Sequence, residues 1–173
     1  MSVPAADELL RSCGRSAVHL ETRDCYSRTD PLLIRWQAGH RDDPADRGSW
    51  WRPWLSLVAE ARGRGVRIRR TRIVSEPVSE YIRFEHDITF MNVTAGEDIR
   101  WLPRRQASRL LLAGNDFWVF DDRLVLWNHF TGDGEVSPGG RELAGDPDTV
   151  KTCAAAFAAA WDRALPHGQY QPA

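Results

Sequence analysis

Lysine is nearly missing from this sequence. Among 23 basic residues only Lys151 is not an arginine, a bias that GC-rich codon usage explains, so arginine number alone is no sign of function. Net charge is missing too: 24 acidic residues bring the 173-residue chain to −1, which argues against a global field that recruits nucleic acid or membrane. Cysteine is scarce. Cys13, Cys25 and Cys153 have no CxxC spacing and cannot all pair, which points to a reducing compartment. No apolar run approaches the ~20 residues that cross a bilayer. The opening MSVPAADELLRSC lacks the basic start and apolar centre of a signal peptide. A soluble, cytoplasmic protein is therefore expected. Repeats, coiled-coil heptads and low-complexity tracts are absent as well. The length fits one domain that buries roughly two thirds of its unfolded surface.

What is present reads as alternating helices and strands. Ala5–Cys13 forms a short amphipathic helix with Leu9 and Leu10 inward, and Ala17–Tyr26 alternates as a strand. AGHRDDPADRGS, from Ala38 to Ser49, has the composition of a loop. Trp51, Trp54, Leu55, Val58 and Ala61 then fall at helical spacing until Gly63 and Gly65 stop the helix. A strand follows over Val66–Val74. The next helix is expected to begin at Pro77, carry Val78, Tyr81, Ile82 and Ile88, and end at Gly96. Asp98–Leu102 is a short strand, and after GDPD a last helix carries Val150, Cys153, Phe157, Trp161 and Ala164 on one face. The expected fold is a single α/β domain over residues 1–173, a mixed sheet flanked by helices. Residues 50–165 form its core, and residues 1–49 add a helix, a strand and a loop.

Between these last elements lies NDFWVFDDRLVLWNHF, Asn115–Phe130. Phe117, Val119, Leu124 and Leu126 alternate with Trp118, Phe120, Val125 and Trp127, so both faces of this hairpin are apolar and must be covered. Phe157 and Trp161 are expected to pack on it through Trp118 or Phe120. Asp121 and Asp122 read as the turn, with Asp122-Arg123 as its tight connection, because aspartate bonds nearby backbone amides. Gly132-Asp133-Gly134 reads as a second turn.

Chemical motifs are few. There is no G-x-S-x-G elbow, P-loop, GxGxxG, H-E-x-x-H or paired-cysteine spacing, so no catalytic residue, metal or cofactor is assigned. Gly63 and Gly65 precede a strand and so lack the helix N-terminus that phosphate loops use. His86 between Glu85 and Asp87 reads as an exposed or locally bonded histidine. RGRGVRIRRTR is the densest basic stretch. It reads either as a grip on phosphates or as a solvated strand face paired with Glu60, Glu76, Glu80 and Glu85. Trp50, Trp51, Arg52, Pro53 and Trp54 read as core plus the start of a helix, or as a partner surface, since tryptophan and arginine anchor interfaces.

The helix ending in ARGRGVRIRR, the hairpin VFDDRLVLWN and the closing FAAAW resemble one half of the phospholipase D-like fold. The resemblance implies a His-x-Lys pair before an Asp at the hairpin turn, the histidine attacking and the lysine binding phosphate. With that Asp laid on Asp121, Gly114 stands at the histidine position and Asp116 at the lysine position, which implies a catalytically dead version. RSAVHLETRD, VSEPVSEYIRFEHD, AGEDIRWLPRR, NDFWVFDDR and NHFTGDGE resemble, along nearly the whole chain, an uncharacterised actinobacterial domain family often encoded beside helix-turn-helix regulators. The expected function is thus a non-enzymatic regulatory or interaction module that meets a protein partner, such as a helix-turn-helix regulator, through Trp51, Arg52 and Trp54. Two alternatives stand beside it. One is an enzyme or sensor of a phosphate or nucleotide in a cleft lined by Arg69, Arg83, His86 and Glu97; the other is direct nucleic-acid binding by the arginine strand.

Overall fold

The computed structural model describes residues 3–173. Along them run α1 (Ala6–Ser12), β1 (Ser16–Glu21), α2 (Pro31–Gln37), α3 (Arg47–Trp50), α4 (Pro53–Gly63), β2 (Arg67–Val74), α5 (Glu80–Ala95) and β3 (Asp98–Pro103). They are followed by β4 (Asp116–Phe120), β5 (Leu124–Phe130), β6 (Val136–Ala144), α6 (Pro147–Trp161) and the short β7 (Leu165–Pro166). The strands form one seven-stranded sheet in the order β6-β5-β4-β1-β2-β3-β7. β1, β2 and β3 are parallel, while β4 runs antiparallel to β1. The mixed sheet flanked by helices is the architecture read from the sequence. Its centre is not confined to residues 50–165, because β1 lies in the middle of the sheet.

Local signals set the helix ends. Ser79 accepts from the Ile82 amide and Asp146 from the Thr149 amide, so these side chains cap α5 and α6. Pro77 does not open α5, which starts three residues later at Glu80 because Ser79 is the cap. Asp30 caps α2 with Pro31 as its first residue, a helix absent from the sequence reading. α3 takes the end of the segment read as a loop over Ala38–Ser49.

The hairpin turn holds Asp121 and Asp122 at φ 53° and 54°, with the Arg123 amide bonded to the Phe120 carbonyl at 3.0 Å. Two left-handed residues make a type I′ turn, so the tight pair is Asp121-Asp122, one residue earlier than Asp122-Arg123. Asp121 also fastens the chain between α1 and β1. Its carboxylate accepts from the amides of Gly14 (2.9 Å), Arg15 (2.7 Å) and Ser16 (2.9 Å) and from the Cys13 thiol (3.1 Å). Burial alone would push Asp121 up, but these donors hold it down at about 2.

The two faces of the sheet divide the core. α1, α4 and α5 cover Ala17, Ile68, Trp118, Phe120 and Leu126 on one side. α6 covers Val18, Leu20, Ile73, Phe117, Val119 and Val125 on the other. Phe157 therefore meets the Phe117–Val119 face, not Trp118 or Phe120 as expected, because neighbouring strand residues point to opposite sides. Trp161 is half-buried at the margin, with the Arg100 guanidinium 4.2 Å and the Arg69 guanidinium 5.3 Å from its ring centre.

Alternation also splits the arginine strand. Arg70 and Arg72 point under α5 and are buried, whereas Arg67 is exposed. Glu21 accepts from Arg70 Nη1 at 2.7 Å and from Arg72 Nε at 2.6 Å. Arg70 Nε reaches Glu97 at 2.6 Å, and Arg72 Nη2 lies 2.5 Å from Glu85. Asn92 and Tyr81 donate to the remaining oxygens of Glu97 and Glu85. The strand is thus no solvated ion-pair face, and among the four expected acidic partners only Glu85 is used. Two guanidiniums against three carboxylates leave one surplus negative charge inside.

His19 stacks on Trp118 at the edge of this network, with ring centres 4.1 Å apart. Burial drives its pKa down to about 3; Glu21 opposes the shift, while Arg70 and Arg72 reinforce it. The unfolded chain protonates His19 near its ordinary value of 6.5, so below that pH the unfolded state binds the extra proton. Stability is expected to fall by about 2 kcal/mol between about pH 6.5 and about pH 5 from this group. Burial also lowers His167, to about 4, which acts in the same direction. Urea unfolding at the two pH values measures the slope, and His19→Leu should flatten it; an equal slope in the variant would remove His19 from the cause.

Candidate functional site

In an open α/β sheet, ligands bind beyond the carboxyl ends of the parallel strands, where the chain reverses its direction of travel across the sheet. Here that place lies between β1 and β4, since the chain moves from β1 to β2 to β3 and then returns to β1's other side. The loops leaving the three parallel strands meet there. Asp24, after β1, accepts from the Ser75 amide (2.7 Å) and hydroxyl (2.6 Å), after β2. Arg104, after β3, donates to Ser75 Oγ at 2.9 Å, to the Thr22 carbonyl at 2.6 Å and to the Ile73 carbonyl at 3.1 Å. This lattice ties three strand ends into one platform.

Asp116 begins β4 beside it and is 2% exposed. Its carboxylate accepts from the Thr22 amide (2.9 Å), the Thr22 hydroxyl (2.7 Å) and the Tyr26 hydroxyl. Burial pushes the pKa of Asp116 up, against the pull of those donors. These bonds tie the start of β4 to the loop that follows β1. Gly114, two residues earlier, is exposed and offers no side chain at all.

Next to the platform a cleft of about 440 Å³ opens between the β1–α2 loop, the start of α5 and the β5–β6 turn. Arg23, Arg28 and Arg104 line it. Arg23 Nη2 holds the Thr131 carbonyl at 3.0 Å, and the guanidinium lies 5.4 Å from the Phe130 ring centre. Gly134, at φ 88°, lets the turn close on the Cys25 carbonyl, which an added Cβ would meet at 2.9 Å. Gly132-Asp133-Gly134 is thus the turn read from the sequence, and it forms one wall.

Residues 4–172 match the family described as Domain of unknown function (DUF6879). The chain belongs to that family. A comparison with curated proteins finds no match. Among solved structures, this DUF6879 chain is similar to the phospholipase D family member Nuc from Salmonella typhimurium. The TM-score is 0.53 at 11% identity over 92% of this chain and 86% of that one. The likeness shows the fold, in agreement with the phospholipase D-like half read from the sequence. A second similar structure is TrmBL2, an archaeal chromatin protein with a novel mode of DNA binding. It gives a TM-score of 0.47 at 12% identity, over 92% of this chain and 48% of that one.

The residues proposed for a ligand cleft in this DUF6879 chain lie apart. Arg69 faces α6, within 5.3 Å of both the Phe157 and Trp161 ring centres. Glu97 is buried on the opposite face against Arg70, and Arg83 is exposed on α5. His86 is locally bonded, its Nε2 3.2 Å from the Tyr170 carbonyl oxygen and its ring 4.7 Å from that of His167. Glu85 turns away from it to Arg72, and Asp87 to the Trp36 indole. At the proposed partner surface Trp50 is buried, while Trp51, Arg52 and Trp54 keep part of their surface in solvent. Arg47 covers Trp51 at 3.6 Å, and Arg52 reaches Met91 Sδ at 3.4 Å. Among the described residues no group of three or more His, Cys, Asp or Glu side chains is placed to hold a metal ion, and no helix is long and apolar enough to cross a membrane.

Arg23, Arg28 and Arg104 were not singled out in the sequence. Their signal is positional: Arg23 and Arg104 follow directly on parallel strands, where site loops belong.

Proposed function

We propose that the chain is a non-enzymatic regulatory or interaction module, acting in the cytoplasm as an accessory to a helix-turn-helix transcription regulator. One observation carries the non-enzymatic part. Where the phospholipase D resemblance calls for a histidine and a lysine stand Gly114 and Asp116, and the Asp116 carboxylate is buried under Thr22 and Tyr26. Glycine has no nucleophile, and a carboxylate repels the phosphate that a lysine would neutralise. Direct nucleic-acid binding by the arginine strand has less support, since Arg70 and Arg72 are consumed by buried carboxylates.

The partner part rests on Trp51, Arg52 and Trp54, which stay half-exposed on a rigid helix start. Such anchors contribute about 2 kcal/mol or more each when an interface covers them. Two experiments test the reading. The purified chain, given bis(p-nitrophenyl) phosphate and plasmid DNA, should turn over neither above buffer; turnover of either that rises in proportion to the protein would refute it. The tagged chain should also capture a helix-turn-helix regulator from its native cell, and Trp51→Ala, still folded though less stable for losing its packing and its bond to Ser56, should weaken that capture. Undiminished capture would place the partner elsewhere.

A further inference from the structure

The cleft beside the platform does not end at Arg28. A second cavity of about 400 Å³ meets it along Cys25, Arg28 and Ser79, which line both. The walls change character along this groove. One end presents Arg23 and Arg104; the other presents Leu33, Gln37 and Tyr81. A charged head next to a mixed apolar and amide floor suits a small molecule with an anionic group on an apolar body.

Some donors at the charged end are unspent. Arg23 Nε is shut off from solvent and has no hydrogen-bond partner. A buried donor without an acceptor is unfavourable, so the protein leaves the Arg23 guanidinium incompletely satisfied. Among the described residues the Arg28 side chain has no hydrogen bond or ion pair; only its backbone amide is engaged, by Glu135 at 3.1 Å. Arg104 spends Nε and Nη2 on the platform and leaves Nη1 free among the described residues. Ser79 adds the start of α5, where the positive end of a sixteen-residue helix faces the groove.

Carboxylates line the groove too, and two of the three are already occupied. Asp24 is held by Ser75 and by Arg104, and Glu80 accepts from the Gln37 amide at 2.8 Å. Asp133 sits on the β5–β6 turn. Neither Gly114 nor Asp116 lines either cavity, so the groove is separate from the positions that would carry phosphodiester cleavage.

We propose that this groove binds the phosphate group of a small phosphorylated molecule, held by Arg23, Arg28 and Arg104, and does not cleave it. The inference rests on the non-enzymatic reading only for its last clause. Planar guanidiniums suit phosphate because each offers paired donors in a fixed fork.

Cys25 makes the proposal measurable. It lines both cavities and is half-buried, whereas Cys13 and Cys153 are buried, with thiols pushed up to about 11 by burial. The probes are pyrophosphate and AMP added to the full chain. Either should raise the melting temperature and slow alkylation of Cys25 by iodoacetamide. Arg28→Ala should cut the affinity about tenfold or more, as loss of a charge-assisted hydrogen bond does. It should keep the unliganded melting temperature, since that side chain is exposed and supports no packing. Two results would overturn the site: neither probe changes melting or alkylation at about 10 mM, beyond a weak millimolar affinity, or Arg28→Ala binds like the parent. Binding accompanied by release of inorganic phosphate would instead preserve the site and refute the non-enzymatic reading. Absence of binding without turnover would do the reverse.

Discussion

Replacing Glu21 with leucine is expected to cost about 3–5 kcal/mol of stability, a large share of the ~5–15 kcal/mol that holds a typical domain folded. Glu21 is the single carboxylate shared by Arg70 and Arg72, at 2.7 Å and 2.6 Å. Without it, the buried Arg70 Nη1 and Arg72 Nε lose their acceptor, and each guanidinium is left with one carboxylate partner. Burial alone would raise the pKa of Glu21, but Arg70 and Arg72 bring it well below the ordinary carboxylate range. Its contribution is therefore present above about pH 4.5, the usual glutamate range, and is lost as pH falls below it. Glu21→Gln keeps an acceptor and should cost less than leucine. Urea titrations of both variants at neutral pH decide the matter. A loss under about 1 kcal/mol for leucine would mean that water reaches the arginines.

Phe157→Ala is the second large effect, expected at about 3–5 kcal/mol. Phe157 is 2% exposed and packs from α6 onto the Phe117, Val119 and Val125 face, so its loss leaves a cavity in the core. Trp161, one turn on, is half-buried and should cost only about 1–2 kcal/mol as alanine. Thermal unfolding of the two variants side by side measures the order. If Trp161→Ala were the costlier, α6 would be seated a turn away from the position seen here.

Helices with a helical apolar stripe, and strands of β-branched and aromatic residues, were legible because their signals are local. α4, α5 and α6 show that spacing, and β4–β5 could only be a covered hairpin. α2 was missed although Asp30-Pro31 is a helix-opening pair, because PLLIRWQ is too short for a convincing period. β6 has no strand signal in the sequence, since Pro138, Gly139 and Gly140 interrupt it with turn-forming residues. A sheet edge tolerates them, and the pairing with β5 is irregular between Asn128 and Phe130. Which face α6 covers depended on a one-residue choice that alternation makes unreadable when both faces are apolar.

The site was harder to read for a different reason. Arg70 finds Glu97 27 residues away and Glu21 49 residues away, so no window along the chain distinguishes a buried network from a basic patch. The groove arginines come from the loops after β1 and β3, and only the sheet order brings them together. Gly114 and Asp116, in contrast, take their meaning from the phospholipase D resemblance, which implies a histidine and a lysine at those positions.

The carboxyl end of this sheet is expected to bind phosphate without cleaving a phosphodiester. Phosphorus-31 NMR of one sample holding the protein, AMP and a thymidine dinucleotide phosphodiester tests both halves together. The expected spectrum has an AMP line that is shifted or broadened by the protein, moving back toward its free position with Arg28→Ala, while the diester line keeps its full intensity for hours. A diester line that decays as monoester signals grow with protein concentration, beside an AMP line that never moves, would contradict it.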